Sequence, residues 1–223
     1  MRILLSAILL AFLASPAHGQ TQSQAQSQAP VQTQSASQPQ PQAPTPGSDL
    51  SAQPFQKGTW DFGVFGGGGI GLFTASYTKY AIFGVHIGRV LTQDHFQGWK
   101  RGNFEYAAEF MPAIWIYEPA GKVYGGSFNP IILKWNFTAN KKIIPYILLD
   151  GSGLVTERDV PVGDTSYFNF MAGGSGGVHI MTGRKQALTL ESRWLHISNA
   201  NLGTYNPQLV SNFMFTVGYT WLK

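Results

Sequence analysis

From Lys57 to the C-terminus the chain alternates between large apolar side chains and small or polar ones, with a period of two residues. Such alternation marks strands with one apolar face, because successive side chains of an extended chain point to opposite sides. Eight runs of this kind, each bounded by turn residues, span about 58–68, 78–90, 103–117, 122–137, 143–155, 166–181, 186–198 and 211–222. The last is the clearest: Phe213, Phe215, Val217, Tyr219 and Trp221 share one face, and Met214, Thr216, Gly218 and Thr220 the other. In the third, Phe104, Tyr106, Ala108, Phe110, Ile114 and Ile116 oppose Glu105, Ala107, Glu109 and Met111. In the fourth, Ile131, Leu133, Trp135 and Phe137 oppose Lys134 and Asn136. No segment keeps an apolar period of 3.6, so no major helix is expected.

Length decides what this pattern encloses. The runs are about 11–16 residues long, against about 5–6 for strands of soluble domains and the ~9–11 that a tilted strand needs to cross a bilayer. The sequence therefore predicts an all-β fold, an eight-stranded antiparallel transmembrane β-barrel with its apolar faces toward lipid and its polar faces toward the lumen. Eight strands make a barrel narrow enough for side chains to fill its interior. Charges placed there must neutralise one another, and Glu105, Glu109, Lys134, Glu191 and Arg193 are the expected set.

The chain ahead of the barrel has a different composition. Residues 1–19 read as a secretory signal: Arg2 is followed by the apolar run Ile3 to Leu13 and by the small-residue stretch Ala17-His18-Gly19. That run is too short to span a bilayer as a helix. Residues 20–56 are expected to be a disordered Gln/Ser/Pro-rich tether, and residues 57–223 the barrel. Between Gln20 and Gln53 there is one charge, Asp49, no aromatic residue, and nothing larger than Val31 and Leu50 to bury. The absence of cysteine excludes disulfides and thiol chemistry. The net charge of +4 is spread along the chain, which gives no nucleic-acid footprint. An exported barrel of this kind belongs in the bacterial outer membrane. With the tether in the periplasm, odd-numbered strands run outward, and the region around Ser198 to Ser211 lies at the cell surface. The turn after the second strand, around Thr92 to Arg101, is longer than periplasmic turns usually are.

One stretch carries candidate chemistry: Arg193-Trp194-Leu195-His196-Ile197-Ser198-Asn199-Ala200, followed by Asn206-Pro207. His196 and Ser198 are two apart on a strand, so they project side by side from the face that also holds Leu188, Leu190 and Trp194. A histidine beside a serine is the minimal base and nucleophile for acyl transfer. Polar side chains on a lipid-facing surface are costly unless used or satisfied. Elsewhere the signals are weaker. His86 and His179 stand singly within strands with no carboxylate at ligand spacing, so no metal site is expected. His95 sits in a turn beside Asp94. Gly66-Gly67-Gly68-Gly69 lacks the following helix and Lys-Ser/Thr of a phosphate loop, and suits a close-packed strand end or loop instead.

The block His196-Ile197-Ser198-Asn199-Ala200 with Asn206 resembles the signature of the outer-membrane lipid A 3-O-deacylase (PagL) family, also described as acyloxyacyl hydrolases. Val123-Tyr124-Gly125-Gly126, Phe128-Asn129-Pro130, Leu133-Lys134-Trp135-Asn136-Phe137 and Phe168-Asn169-Phe170 fit its general character. The resemblance covers roughly residues 58–222. It implies a barrel that hydrolyses an ester-linked acyl chain of lipid A, the lipopolysaccharide anchor, with Ser198 as nucleophile, His196 as base, and no cofactor. Backbone amides, Asn199 and Asn206 are the candidates for stabilising the oxyanion or orienting the histidine. The family places a Glu fourteen residues after the His; here that position is Val210. The alternative is a non-catalytic small outer-membrane barrel with a structural or adhesive role, or an inactive relative of the deacylases.

Overall fold

The computed structural model describes residues 53–73, 77–160, 166–202 and 210–223. Residues 1–19, expected to be a secretory signal, and residues 20–52 of the expected tether lie outside the described residues. Eight strands follow one another: β1 Trp60–Leu72, β2 Lys79–Val90, β3 Gly102–Glu118, β4 Gly121–Phe137, β5 Ile143–Thr156, β6 Phe168–Gly183, β7 Gln186–Ser198 and β8 Val210–Leu222. Each pairs antiparallel with its neighbours, and β1 pairs with β8, so the sheet closes into a barrel with no free edge. β7 coincides with its expected span, and the others differ from theirs by a few residues at their ends. A 3₁₀ turn at Gly98–Lys100 shapes the long β2–β3 connection.

Burial is inverted relative to a water-soluble fold. Phe62, Val85, Phe110, Leu133, Ile147, Phe215 and Val217 are exposed on the outside, whereas Asp61, Glu105, Lys134 and Asn136 are almost completely buried inside. Such an exterior is stable against lipid and not against water, which makes the chain a membrane-spanning barrel. Gly67 illustrates how tightly the sheet coils: a Cβ at this position would collide with the carbonyl oxygen of Phe215 on β8. The glycine run is thus a close-packed part of β1, paired on both sides.

One expected face changes partway along β3. Ile114 and Ile116, expected outside, are buried in the lumen beside Met111. The register between β3 and β4 shifts between Met111 and Ile114. An irregularity of this kind inserts a residue without a partner, and a one-residue slip carries every later side chain to the opposite face. Pro112, which cannot donate to the ladder, lies at the shift.

The lumen is filled rather than open. Toward one end Tyr80, Ile82, Met111, Ile116, Leu195, Ile197 and Met214 form an apolar plug. At the end where β1 begins and β8 finishes, Phe55 packs with Val90, Ile144 and Leu222. Residues 53–56, expected in the tether, therefore belong to the barrel. Phe55 is fully buried and its ring stacks on His179 at 4.8 Å. Asn103 donates to the Phe55 carbonyl at 2.8 Å, and Gln53 Nε2 donates to the Thr138 carbonyl at 2.9 Å. Composition conceals this because a single aromatic suffices to cork a narrow barrel.

Phe55→Ala is expected to destabilise the barrel by about 3–5 kcal/mol in urea unfolding in lipid vesicles. Deletion of residues 20–52 is expected to change stability by no more than about 0.5 kcal/mol. Equal effects of the two changes would show that Phe55 does not cork the lumen.

Candidate functional site

β7 alternates cleanly along its second half. Arg193, Leu195 and Ile197 are buried, while Trp194, His196 and Ser198 lie on the outer wall. The two candidate catalytic side chains thus share the lipid-facing surface, near the end of the barrel away from the start of β1 and the finish of β8. Cross-strand register fixes their neighbours. Ser198 is opposite Phe170 of β6, and His196 stands between Ala172 of β6 and Ser211 of β8. Phe170 makes an edge contact with Phe168 at 5.0 Å.

Immediately after Ser198 the chain reverses. Ala200 and Asn201 both adopt left-handed backbone conformations, with φ of 52° and 63°, which side chains other than glycine disfavour by roughly 1–2 kcal/mol each. Hydrogen bonds hold the turn: the Leu202 amide donates to the Asn199 carbonyl at 2.9 Å, and the Asn201 amide to Asn199 Oδ1 at 3.0 Å. The Ala200 amide donates to Ser198 Oγ at 3.0 Å. The serine hydroxyl accepts that bond and keeps its own proton to donate. A strained turn is therefore spent on aiming an amide at the serine oxygen.

Asn199 is fully buried, on the other side of the wall from the Ser198 hydroxyl, and Asn206 lies outside the described residues. Position 210, fourteen residues after the histidine, is in register with Ile197, and Ser211 is the residue paired with His196. Ser211 is 1% exposed. β6 and β8 contain no acid, and Glu191, the one acid of β7, is turned into the lumen.

Beside the two residues the outer wall is low. Ala172, Gly174 and Gly176 of β6 run down from His196, with Ser192 of β7 opposite Gly176. Trp194, 47% exposed, and Leu149 of β5, 65% exposed, flank this lane.

No protein-family model matches the sequence, and no curated protein matches it. Solved structures to which the barrel is similar include three outer-membrane proteins. The outer membrane enzyme PagL is 18% identical over 71% of this chain and 98% of that one, with a TM-score of 0.49. Neisserial surface protein A is 12% identical over 74% and 97%, with a TM-score of 0.49. The outer membrane protein OprG from Pseudomonas aeruginosa is 11% identical over 77% and 99%, with a TM-score of 0.42. These likenesses concern the barrel and assign no chemistry to it.

The lumen contains a second polar cluster, larger than the sequence suggested. Arg193 makes a two-pronged contact with Glu109 at 2.8 and 3.0 Å, and also reaches Glu191 at 2.7 Å and Asp150 at 3.2 Å. Lys134 lies 3.1 Å from Asp61 and 3.2 Å from Glu105. Tyr146 donates to Glu191 at 2.8 Å. The expected five charges do pair with one another, and with Asp61, Asp150 and His86 they form a network of five carboxylates around Lys134, Arg193 and His86. The expectation for His86 needs correcting: it is within 3.4–3.6 Å of Asp61, Glu105 and Glu109, carboxylates that lie far away in sequence. Asp61, His86 and Glu105 could bring ligand atoms within 4.8 Å of one another, but the Lys134 ammonium already occupies the space between the two carboxylates. His179 bonds through Nδ1 to Thr189 at 2.8 Å and stays structural. The alternation does place Asp61, His86 and Asp150 on inward faces. What it lacks is the register that brings them together.

Arg193→Met would leave Glu109, Glu191 and Asp150 without their shared cation, and a loss of about 3–5 kcal/mol in unfolding free energy is expected. The double change Arg193→Met with Glu109→Gln should recover part of that loss. Full additivity of the two would contradict direct pairing.

Proposed function

We propose that this protein is an outer-membrane carboxylic ester hydrolase that removes an ester-linked acyl chain from lipid A. The observation that carries this reading is the placement of His196 and Ser198 together on the lipid-facing wall, with the Ala200 amide aimed at the serine oxygen. A lipid ester reaches such a pair by lateral diffusion, without entering the sealed lumen. The low lane over Ala172, Gly174 and Gly176 leaves room for an acyl chain against the wall, between Leu149 and Trp194. The likeness of the His196-to-Ala200 block to the deacylase signature supplies the choice of lipid A among membrane esters.

Ser198 Oγ attacks the ester carbonyl carbon while His196 accepts its proton. The carbonyl π electrons move onto oxygen, and the Ala200 amide, which donates to Oγ at 3.0 Å before attack, would release Oγ and donate to that charged oxygen. Collapse breaks the bond to the sugar oxygen, which takes the proton back from His196. Water, deprotonated by the same histidine, then releases the fatty acid from the serine ester. Asn199, turned to the other side of the wall, no longer suits this role, which leaves Asn206 as the side-chain candidate for further support of the oxyanion or the imidazole.

A second reading is favoured by one observation: among the described residues no carboxylate stands beside His196. A catalytic histidine usually has its second nitrogen held by an acid or an amide. Without one the protein is a structural or adhesive barrel, or a lapsed relative of the deacylases.

Mass spectrometry of lipid A incubated with the purified protein separates these readings. Loss of one ester-linked acyl chain is expected. Ser198→Ala and His196→Ala should each reduce the rate at least about 100-fold, and the double variant should be no worse than the poorer single one. Because register pairs His196 with Ser211, Ser211→Asp should raise the rate while Val210→Glu does so less. Full activity in Ser198→Ala would end the hydrolase reading. Inert lipid A with both the natural sequence and Ser211→Asp would leave the non-catalytic barrel.

A further inference from the structure

The two ends of the barrel differ sharply in charge. The three turns at the end where β1 begins and β8 finishes hold Lys100, Arg101, Lys141, Lys142, Arg184 and Lys185, with Asp94 as their one acid. Asp94 is already engaged with Arg101 at 2.8 Å. At the opposite end, among the described residues, Lys79, Lys122 and Arg158 are balanced by Glu118, Glu157 and Asp159. The positive excess is therefore local, although the net charge of the chain is modest.

The basic end also has an apolar component. Between the β4–β5 and β6–β7 turns lies an open cleft of ≈ 800 Å³. Lys141, Lys142, Arg184 and Lys185 line it together with Pro54, Met181 and Leu222. Around the barrel, the long β2–β3 turn exposes Phe96 (63%) and Trp99 (74%). Phe96 leans on Trp135 at 5.7 Å, and Lys100 lies over the Trp99 ring at 5.4 Å. Arg89 covers Trp60 in the same way at 5.1 Å. Rings exposed on one side and capped by cations on the other match the depth at which acyl chains give way to headgroups.

We propose that this end binds the phosphodiester headgroups of anionic phospholipids in the adjacent leaflet, with one headgroup seated in the cleft between the β4–β5 and β6–β7 turns. The cations meet the phosphate, the apolar lining meets the glycerol and first methylenes, and Phe96 and Trp99 fix the depth of the barrel. A soluble polyanion would use the cations but leave the exposed rings and the apolar lining without a partner. The length of the β2–β3 turn, unusual for its side of the barrel, follows from its role as an anchor. This site is separate from His196 and Ser198, which lie at the other end of the wall.

Native mass spectrometry tests the proposal with the full-length mature protein in neutral detergent, given equal amounts of phosphatidylglycerol and phosphatidylethanolamine. Phosphatidylglycerol adducts should exceed phosphatidylethanolamine adducts by about 30-fold, as expected for two engaged cations. The variant Lys141→Gln, Lys142→Gln, Arg184→Gln, Lys185→Gln should bring the ratio close to one. Lys79→Gln with Lys122→Gln, at the opposite end, should leave it unchanged. All these side chains are exposed, and heat-dependent electrophoretic mobility verifies that each variant is folded. Equal adducts in the natural sequence, or a preference that survives the fourfold variant, would overturn the proposal. So would displacement of bound phosphatidylglycerol by glycerol phosphate at constant ionic strength, which would assign the cleft to a soluble phosphate.

Discussion

The arrangement of Arg193 among Glu109, Glu191 and Asp150, with Lys134 between Asp61 and Glu105, is the constraint on which the rest of the molecule rests. An exterior suited to lipid leaves the polar residues no place but the lumen, and a lumen plugged at both ends offers them little water. Charges so placed are tolerable only when each finds partners. The strands fix those partners, since the residues involved come from β1, β3, β4, β5 and β7. Pairing the ions therefore also selects the register of the barrel: a slip of one residue in any of these strands would turn a charge toward lipid.

The sealed lumen bears on function as well. With Phe55 at one end and the Tyr80–Met214 plug at the other, the interior is a scaffold and not a path for solutes. Any ligand has to be met on the wall or at the rims. The wall carries His196 and Ser198, held by a backbone turn in which two consecutive residues accept left-handed strain. The opposite rim carries the basic turns. On the proposed reading, one narrow scaffold presents an ester-cleaving pair to one leaflet and an anionic-lipid surface to the other.

Much of this was legible in the sequence because the period of two survives almost everywhere. It gave the eight strands, the closure into a barrel, the inward charges Glu105, Glu109, Lys134, Glu191 and Arg193, and the shared outward face of His196 and Ser198. It failed where the period breaks or where distant strands meet. The register shift near Pro112 turned Ile114 and Ile116 inward, which no local pattern announces. His86 looked solitary because its three carboxylate neighbours come from β1 and β3. Phe55 looked like part of a tether because one aromatic among polar residues leaves no periodic signal. The pairing of His196 with Ser211 rather than with position 210 is a matter of the register of β8 against β7, which no local pattern announces.

The inverted wall is the claim on which both functional readings depend, and β8 offers a direct measurement of it. The chain contains no cysteine, so single cysteines can be introduced one at a time at positions 213 through 219 and spin-labelled in lipid vesicles. Collision rates with oxygen, which concentrates in the bilayer, can then be compared with those of a water-soluble nickel chelate. An inverted barrel predicts oxygen maxima at 213, 215, 217 and 219, with low accessibility to both reagents at 214 and 216. Maxima at the even positions, or the absence of any period of two, would contradict it.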